Sequence, residues 1–211
     1  MKKRPRQEIR SGNSARSGGR GVSLIELLIA MVIGIVVLGA MYGVFISQNK
    51  TFGNQEQIVE MQQNARAAMD MMVREIRMAG YNPTRNAAAG IVNATLNSIT
   101  FTLDITDNAG TGPPDGDTSD SNEYITYSLY TADGIQKLGR KSTASAANQP
   151  VAEHVQSLKF TYLPNATLTE IRRIQIEITL RTAKPDPAYA ANGGYRTYTL
   201  TTVVTPRNLA Y

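Results

Sequence analysis

The sequence predicts an α+β protein in which a long N-terminal helix, transmembrane in its first half and amphipathic in its second, packs on an antiparallel β-sheet. Three observations carry this. Leu27–Ile46 is a run of twenty residues without a charge, LLIAMVIGIVVLGAMYGVFI, and at about 1.5 Å per residue it spans roughly 30 Å, the hydrocarbon thickness of a bilayer. Beyond it, apolar residues recur every three or four positions as far as Ile76. After Pro83 the apolar period falls to two.

The apolar run is too long for the core of an ordinary secretory signal, which holds about 7–15 residues. Glu26 stands directly before it. An acid at the edge of lipid is costly unless it meets a partner, so it reads as a functional residue; the competing reading is that it lies at headgroup depth and ends the span. Inside the run Gly39 and Gly43 form a small-xxx-small pair that lets another helix approach closely.

The amphipathic half follows without a break. Ile58, Met61, Ala65, Met69, Met72, Val73 and Ile76 make one stripe, and Gln62, Asn64, Arg66, Asp70, Arg74 and Arg77 fill the other faces. Gly80 followed by Tyr81-Asn82-Pro83 stops the helix, which the pattern runs from Leu24 to Ala79. A Met-rich stripe of this kind is read as core rather than as a recognition groove.

Strands come next. Ile99, Phe101 and Leu103 alternate with Ser98, Thr100 and Thr102; Glu123–Tyr130 is rich in β-branched and aromatic residues; Asp133-Gly134 marks a hairpin returning through Ile135–Arg140. The stretch up to Pro150 reads as a loop, Val151–Leu158 as a short helix and Lys159–Leu163 as a strand. In Arg172–Thr182 the residues Ile174, Ile176, Ile178 and Leu180 share one face. Lys184–Gly194 is a Pro/Gly loop, and Tyr195–Thr205 is the last strand. One apolar face per strand implies an antiparallel sheet with one wet side, and the helix stripe is the economical cover for the other. The expected organisation is 1–21 basic leader, 22–46 transmembrane helix, 47–82 amphipathic helix, and 83–211 β-rich head.

Charge locates the compartments. The chain of 211 residues carries +5, but residues 1–21 alone hold seven cations against Glu8, so the rest is left with −1. A basic segment before an apolar span is the positive-inside pattern, with the leader cytoplasmic and the head across the membrane. The same location removes the reason to read the body as a nucleic-acid binder. Cysteine is absent, which excludes thiol catalysis and Cys-based metal sites but does not decide the compartment.

Gly21-Val-Ser-Leu-Ile-Glu26 with the run after it resembles the processing and assembly segment of type IV prepilins and type II secretion pseudopilins. That resemblance implies a pilin-like fold, cleavage by prepilin peptidase after Gly21, and Val22 as the new N-terminus, usually N-methylated. Glu26 then falls at the fifth mature position, where the family has its assembly glutamate. Val22 departs from the usual Phe or Met. The later sequence EQIVEMQQNARAAMDMMVREIRMAGYNP and the closing TLTTVVTPRNL resemble PilW-type minor pilins. The implied role is a minor pilin of the bacterial inner membrane, spanning once, that takes part in initiating type IV pilus assembly and then joins the pilus, its tip included. The implied partners are prepilin peptidase, other minor and major pilins, and the inner-membrane assembly platform. A J-type pseudopilin of type II secretion, and a tip adhesin or DNA-uptake minor pilin, are the alternatives. The leader is long for many type IV a pilins, which places a downstream start codon among the expectations.

Catalytic chemistry is not expected. His154 is the lone histidine, among residues that read as core, and no GxSxG, HExxH, P-loop or Rossmann pattern occurs. No cofactor or metal is assigned. Asp115, Asp117, Asp120 and Glu123 do sit in a flexible acidic stretch of the kind that suits Ca²⁺, but an EF-hand register started at Asp115 reaches Thr126 where a Glu is needed, and the stretch reads as a solvated surface loop.

Overall fold

The computed structural model describes residues 21–209; apart from Gly21, the basic leader lies outside them. They form two compact units that divide between Asn49 and Lys50. Helix α1 (Leu24–Met78) begins in the first and continues through the start of the second. In the first unit the apolar side chains from Leu24 to Phe45 all stand exposed, and the helix is long and apolar enough to cross a membrane.

The second unit adds eight strands to the rest of α1: β1 (Ile91–Ala94), β2 (Ser98–Thr102), β3 (Tyr124–Ala132), β4 (Ile135–Lys141), β5 (Gln149–Ala152), β6 (Val155–Leu163), β7 (Arg173–Arg181) and β8 (Thr197–Val204). All pair antiparallel, in two sheets of order β1-β2-β3-β4-β5 and β6-β7-β8. The anticipated single sheet is thus two, joined by the β5–β6 turn at Glu153-His154, where His154 takes φ 56°. The expected hairpin at Asp133-Gly134 forms with both residues at positive φ, the geometry of a tight turn that follows the strands' twist.

The helix stripe is the centre of the core. Met61, Ala65, Ala68, Met69, Met72 and Ile76 are buried together with Ile99, Phe101, Ile125, Tyr127 and Leu138 of the larger sheet and Ile174, Ile176, Ile178 and Leu180 of the smaller. Each β7 residue in that row withdraws from water at a gain of about 2 kcal/mol.

The helix ends at Met78, one residue before the expected Ala79. Gly80 takes φ 81° and its N–H donates to the Thr102 carbonyl at 2.9 Å. The last carbonyls of α1 are capped from the far end of the chain: Arg207 N–H donates to Arg77 O at 3.1 Å, and the Asn208 side-chain amide to Met78 O at 3.3 Å. The closing Pro206-Arg-Asn-Leu segment therefore acts as a helix cap.

Val151–Leu158, read as a short helix, is the end of β5 and the start of β6 instead. A register shift between Val155 and Ser157 puts Val155 and Leu158 on the same buried face. A bulge inserts one residue into the alternation, so apolar side chains three apart share a face as they would on a helix. Strand pairing also includes Gln149-Pro150, assigned to a loop from sequence, and β1, which the sequence reading did not identify.

Candidate functional site

The segment singled out from sequence begins at an exposed Gly21-Val22. Ser23 ends the non-helical entry: its carbonyl accepts the first helical hydrogen bond from Leu27 N–H at 3.1 Å. Ser23 is thereby the N-cap, and Glu26 lies in the first turn. Ser-x-x-Glu at a helix start is also the capping-box pattern, and a carboxylate there is favoured by the helix dipole. Glu26 therefore has a local reason to be acidic. The glycines do not have a local reason. A Cβ added at Gly34, Gly39 or Gly43 meets nothing within 4 Å, so the fold of the chain itself leaves room for a side chain at each.

In the head, the polar cluster that sequence reasoning missed is Glu75–Tyr127–Arg140. Tyr127 Oη donates to Glu75 Oε2 at 2.6 Å, and Arg140 Nε to both Glu75 oxygens at 3.0 Å. Arg140 also donates to Asn122 Oδ1 at 3.0 Å. Burial, then the Glu75 charge, pushes the Tyr127 phenol well above its ordinary range. Burial pulls on Arg140 in the opposite sense, but its bond to Glu75 holds the guanidinium above its usual value. The cluster fastens the helix to the larger sheet. Its signal was present: Arg140 shares a strand face with Leu138, and an arginine on an apolar face calls for a carboxylate across from it.

The acidic stretch divides. Asp115, Asp117 and Asp120 bring one carboxylate oxygen each within 4.8 Å of one another. Burial, then the charges of Asp117 and Asp115, raises the Asp120 carboxyl above its ordinary value. Glu123 is fully buried and turned inward, where its Oε1 accepts from Ile105 N–H at 2.7 Å and Thr106 N–H at 2.9 Å. Asp104 is buried likewise, accepting from Thr84 Oγ1 at 2.7 Å. The loop is thus pinned at both roots by buried acids, and its tip carries the exposed Asp115 and the half-buried Asp117 and Asp120. Asp107 accepts from the Thr111 and Gly112 N–H groups, and those bonds, Gly112's first, hold its carboxyl below the ordinary value.

His154 occupies the β5–β6 turn, its carbonyl accepting from Arg181 N–H at 2.9 Å. It lines a recess of mixed character with Gln57, Glu60 and Arg181 on one hand and Met61, Val151 and Leu180 on the other. Neither a base paired to a nucleophile nor an oriented acid is assembled around it among the described residues.

A helix with a membrane-length uncharged run, an acid in its first turn, and a β-rich head built over its second half together make a pilin-like fold. Residues 54–205 match the family described as prepilin peptidase-dependent protein B, and residues 16–42 match the prokaryotic N-terminal methylation motif. The chain belongs to the prepilin peptidase-dependent protein B family. Among solved structures it is similar to a type IV-like pilin from Thermus thermophilus, with 13% identity and a TM-score of 0.41, covering 71% of this chain and 98% of that one. No curated protein matches it. The protein is a prepilin-peptidase-dependent, type IV pilin-like protein, and its N-terminal apolar helix fits membrane anchoring.

Proposed function

We propose that this protein is a minor pilin that takes part in initiating type IV pilus assembly. Prepilin peptidase cuts after Gly21, the freed amine of Val22 is methylated, and the helix over 22–46 holds the chain in the inner membrane with the leader side cytoplasmic and the head periplasmic. In the filament Glu26 faces the Val22 ammonium of a neighbouring subunit, and Gly39 and Gly43 let neighbouring helices approach. Other minor and major pilins and the inner-membrane platform are its partners; the protein is a structural subunit rather than an enzyme.

The observation that supports this most is the helix start. Gly21 and Val22 lie exposed ahead of the N-cap, and a single carboxylate follows in the first turn of a span whose apolar side chains are all uncovered. In a medium of low dielectric an unpaired acid is costly, and a cation in contact offsets that cost. Only a neighbour at one axial height supplies the amine, so the pairing also sets register.

Intact mass and N-terminal sequence from native membranes, with and without prepilin peptidase, test the reading. A peptidase-dependent start at Val22 is expected; a chain retaining residues 1–21 in both backgrounds would remove the mechanism. Replacing Gly21 with a bulky or charged residue should leave the protein at precursor mass.

A further inference from the structure

The two sheets expose four edges, and three are protected. β1 and β5 have four residues each, both with a register irregularity, and β5 contains Pro150. The β6 edge is covered: Phe160 N–H donates to Leu96 O at 2.7 Å, and Tyr162 Oη donates to Thr95 O at 2.9 Å. β8 has none of these devices. Its eight residues, TYTLTTVV, contain no charge, proline or glycine, and they pair with β7 in unbroken register. Short, bulged, charged or covered edges are how sheets avoid unwanted pairing, so a long bare edge beside three guarded ones marks a place reserved for a strand.

The register says which groups are on offer. Thr182 N–H donates to Arg196 O at 2.9 Å, which continues the β7–β8 ladder by one pair. Antiparallel alternation then turns the backbone groups of Tyr198, Leu200, Thr202 and Val204 toward β7, and those of Thr197, Thr199, Thr201 and Val203 outward. Among the described residues no backbone bond reaches that outer row. The inward-facing side chains Tyr198 and Leu200 remain only partly buried. At the N-terminal end of the edge lies a recess of about 210 Å³ between Ile58 and Gln62 of α1 and Tyr189, Arg196 and Tyr198.

We propose that β8 is an acceptor edge, completed by an extended segment of a different polypeptide in the same membrane assembly. The fitting segment is uncharged along at least four residues, with an apolar side chain at every second position to cover Tyr198 and Leu200 and one side chain seated in the recess. A second copy is disfavoured by symmetry. Two β8 edges pairing antiparallel are related by a two-fold axis perpendicular to the sheet, which reverses any element lying along the sheet face. The part of α1 packed on that face would run in opposite directions in the two copies, and their chains would leave for the membrane at opposite ends. That step rests on the membrane-anchored reading above.

The test compares the full chain in native membranes of filament-producing cells with the same chain purified in detergent, by amide hydrogen exchange resolved at single residues. The amides of Thr197, Thr199, Thr201 and Val203 should exchange at least about tenfold more slowly in the membranes, about 1.4 kcal/mol of protection, whereas Tyr198, Leu200 and Thr202 should be slow in both. Thr201→Pro removes one outward N–H and leaves the β7 ladder intact; it should be processed normally and lose that protection. Thr201→Lys keeps every backbone group, sets a charge at the edge, and should act alike if the proline variant fails to fold. Fast exchange of the outer amides in both samples would overturn the proposal. So would protection that grows with concentration of the purified chain, which would assign the edge to a second copy. Mass read on the same samples separates the failures: a chain cut at Gly21 with an open β8 edge defeats this inference and leaves the pilin reading standing.

Discussion

At the scale of single residues, Glu26 carries two explanations that one pair of substitutions separates. As a capping-box residue it is replaceable by Gln, whose side chain also reaches back to the N-cap amide. As the partner of an ammonium it is not, because Gln has no charge. Glu26→Gln should therefore leave processing and membrane insertion intact and reduce filament incorporation about tenfold, as Glu26→Ala should too, since tenfold corresponds to only about 1.4 kcal/mol of a contact that is worth more when desolvated. Quantitative blotting of sheared filaments checks this, and wild-type incorporation of Glu26→Gln would leave capping as the role. Glu75 poses the reverse problem, a carboxylate holding a buried cation within one chain. Glu75→Ala leaves Arg140, buried at 8% side-chain exposure, without its carboxylate, and the expected loss is about 3 kcal/mol of head stability, read as a shift in denaturant midpoint at unchanged slope.

At the scale of elements, the acidic loop makes a pH prediction whose sign is fixed. Asp120 has a raised carboxyl, so the folded state holds a proton that the unfolded state has already released. The Asp120 charge therefore opposes folding in full above the raised value, and the penalty shrinks as pH falls through that value and is gone below the ordinary carboxylate range. Asp120→Asn should raise the thermal midpoint at pH 7 and leave it unchanged at pH 3; equal gains at both pH values would remove charge as the cause. The helix exit is a second elemental constraint. A Cβ at Gly80 would stand 2.8 Å from Asn208 O in a backbone region that L-residues rarely adopt, so Gly80→Ala should cost about 2 kcal/mol and accelerate exchange of the capping Arg207 amide. Both ends of this junction were legible as signals, Gly80 as a stop and the closing TPRNL as a resemblance. Their contact was not, because local pattern holds no information about which distant group satisfies a helix carbonyl. The Ile174–Leu180 alternation and the Met61–Ile76 stripe were legible because each is a long, regular period with one buried face. Val151–Leu158 was misread because a bulge imitates the helical spacing. The division into two sheets was hidden for the same reason, as it occurs at that turn. At the helix start, Glu26 could be singled out from its place before the apolar run, and Gly21 and Val22 only through the family resemblance, whereas Glu75 and Arg140 become a site only when a helix and a strand meet.

At the scale of the molecule, the distribution of charge predicts a change of sign on maturation. The full chain carries +5 and a pI near 9.5, and nearly all of the excess lies before Val22. Fixed cations next to an apolar span resist transfer across the membrane, so they are useful while the helix is being oriented. Once subunits pack side by side the same cations would repel one another, and in a low-dielectric helix core that repulsion is only weakly screened. A cut at the proposed site would leave a net charge of −1 and a new amine four residues before Glu26, so that one cut would both erase the repulsion and create the attraction. The expected observation is a peptidase-dependent move of the protein from the basic to the acidic side of neutrality in two-dimensional electrophoresis, with loss of the leader's mass in the same spot. A mature form that stays basic would mean that the cations persist through assembly, and the charge argument for cleavage would fail even if the protein still entered filaments.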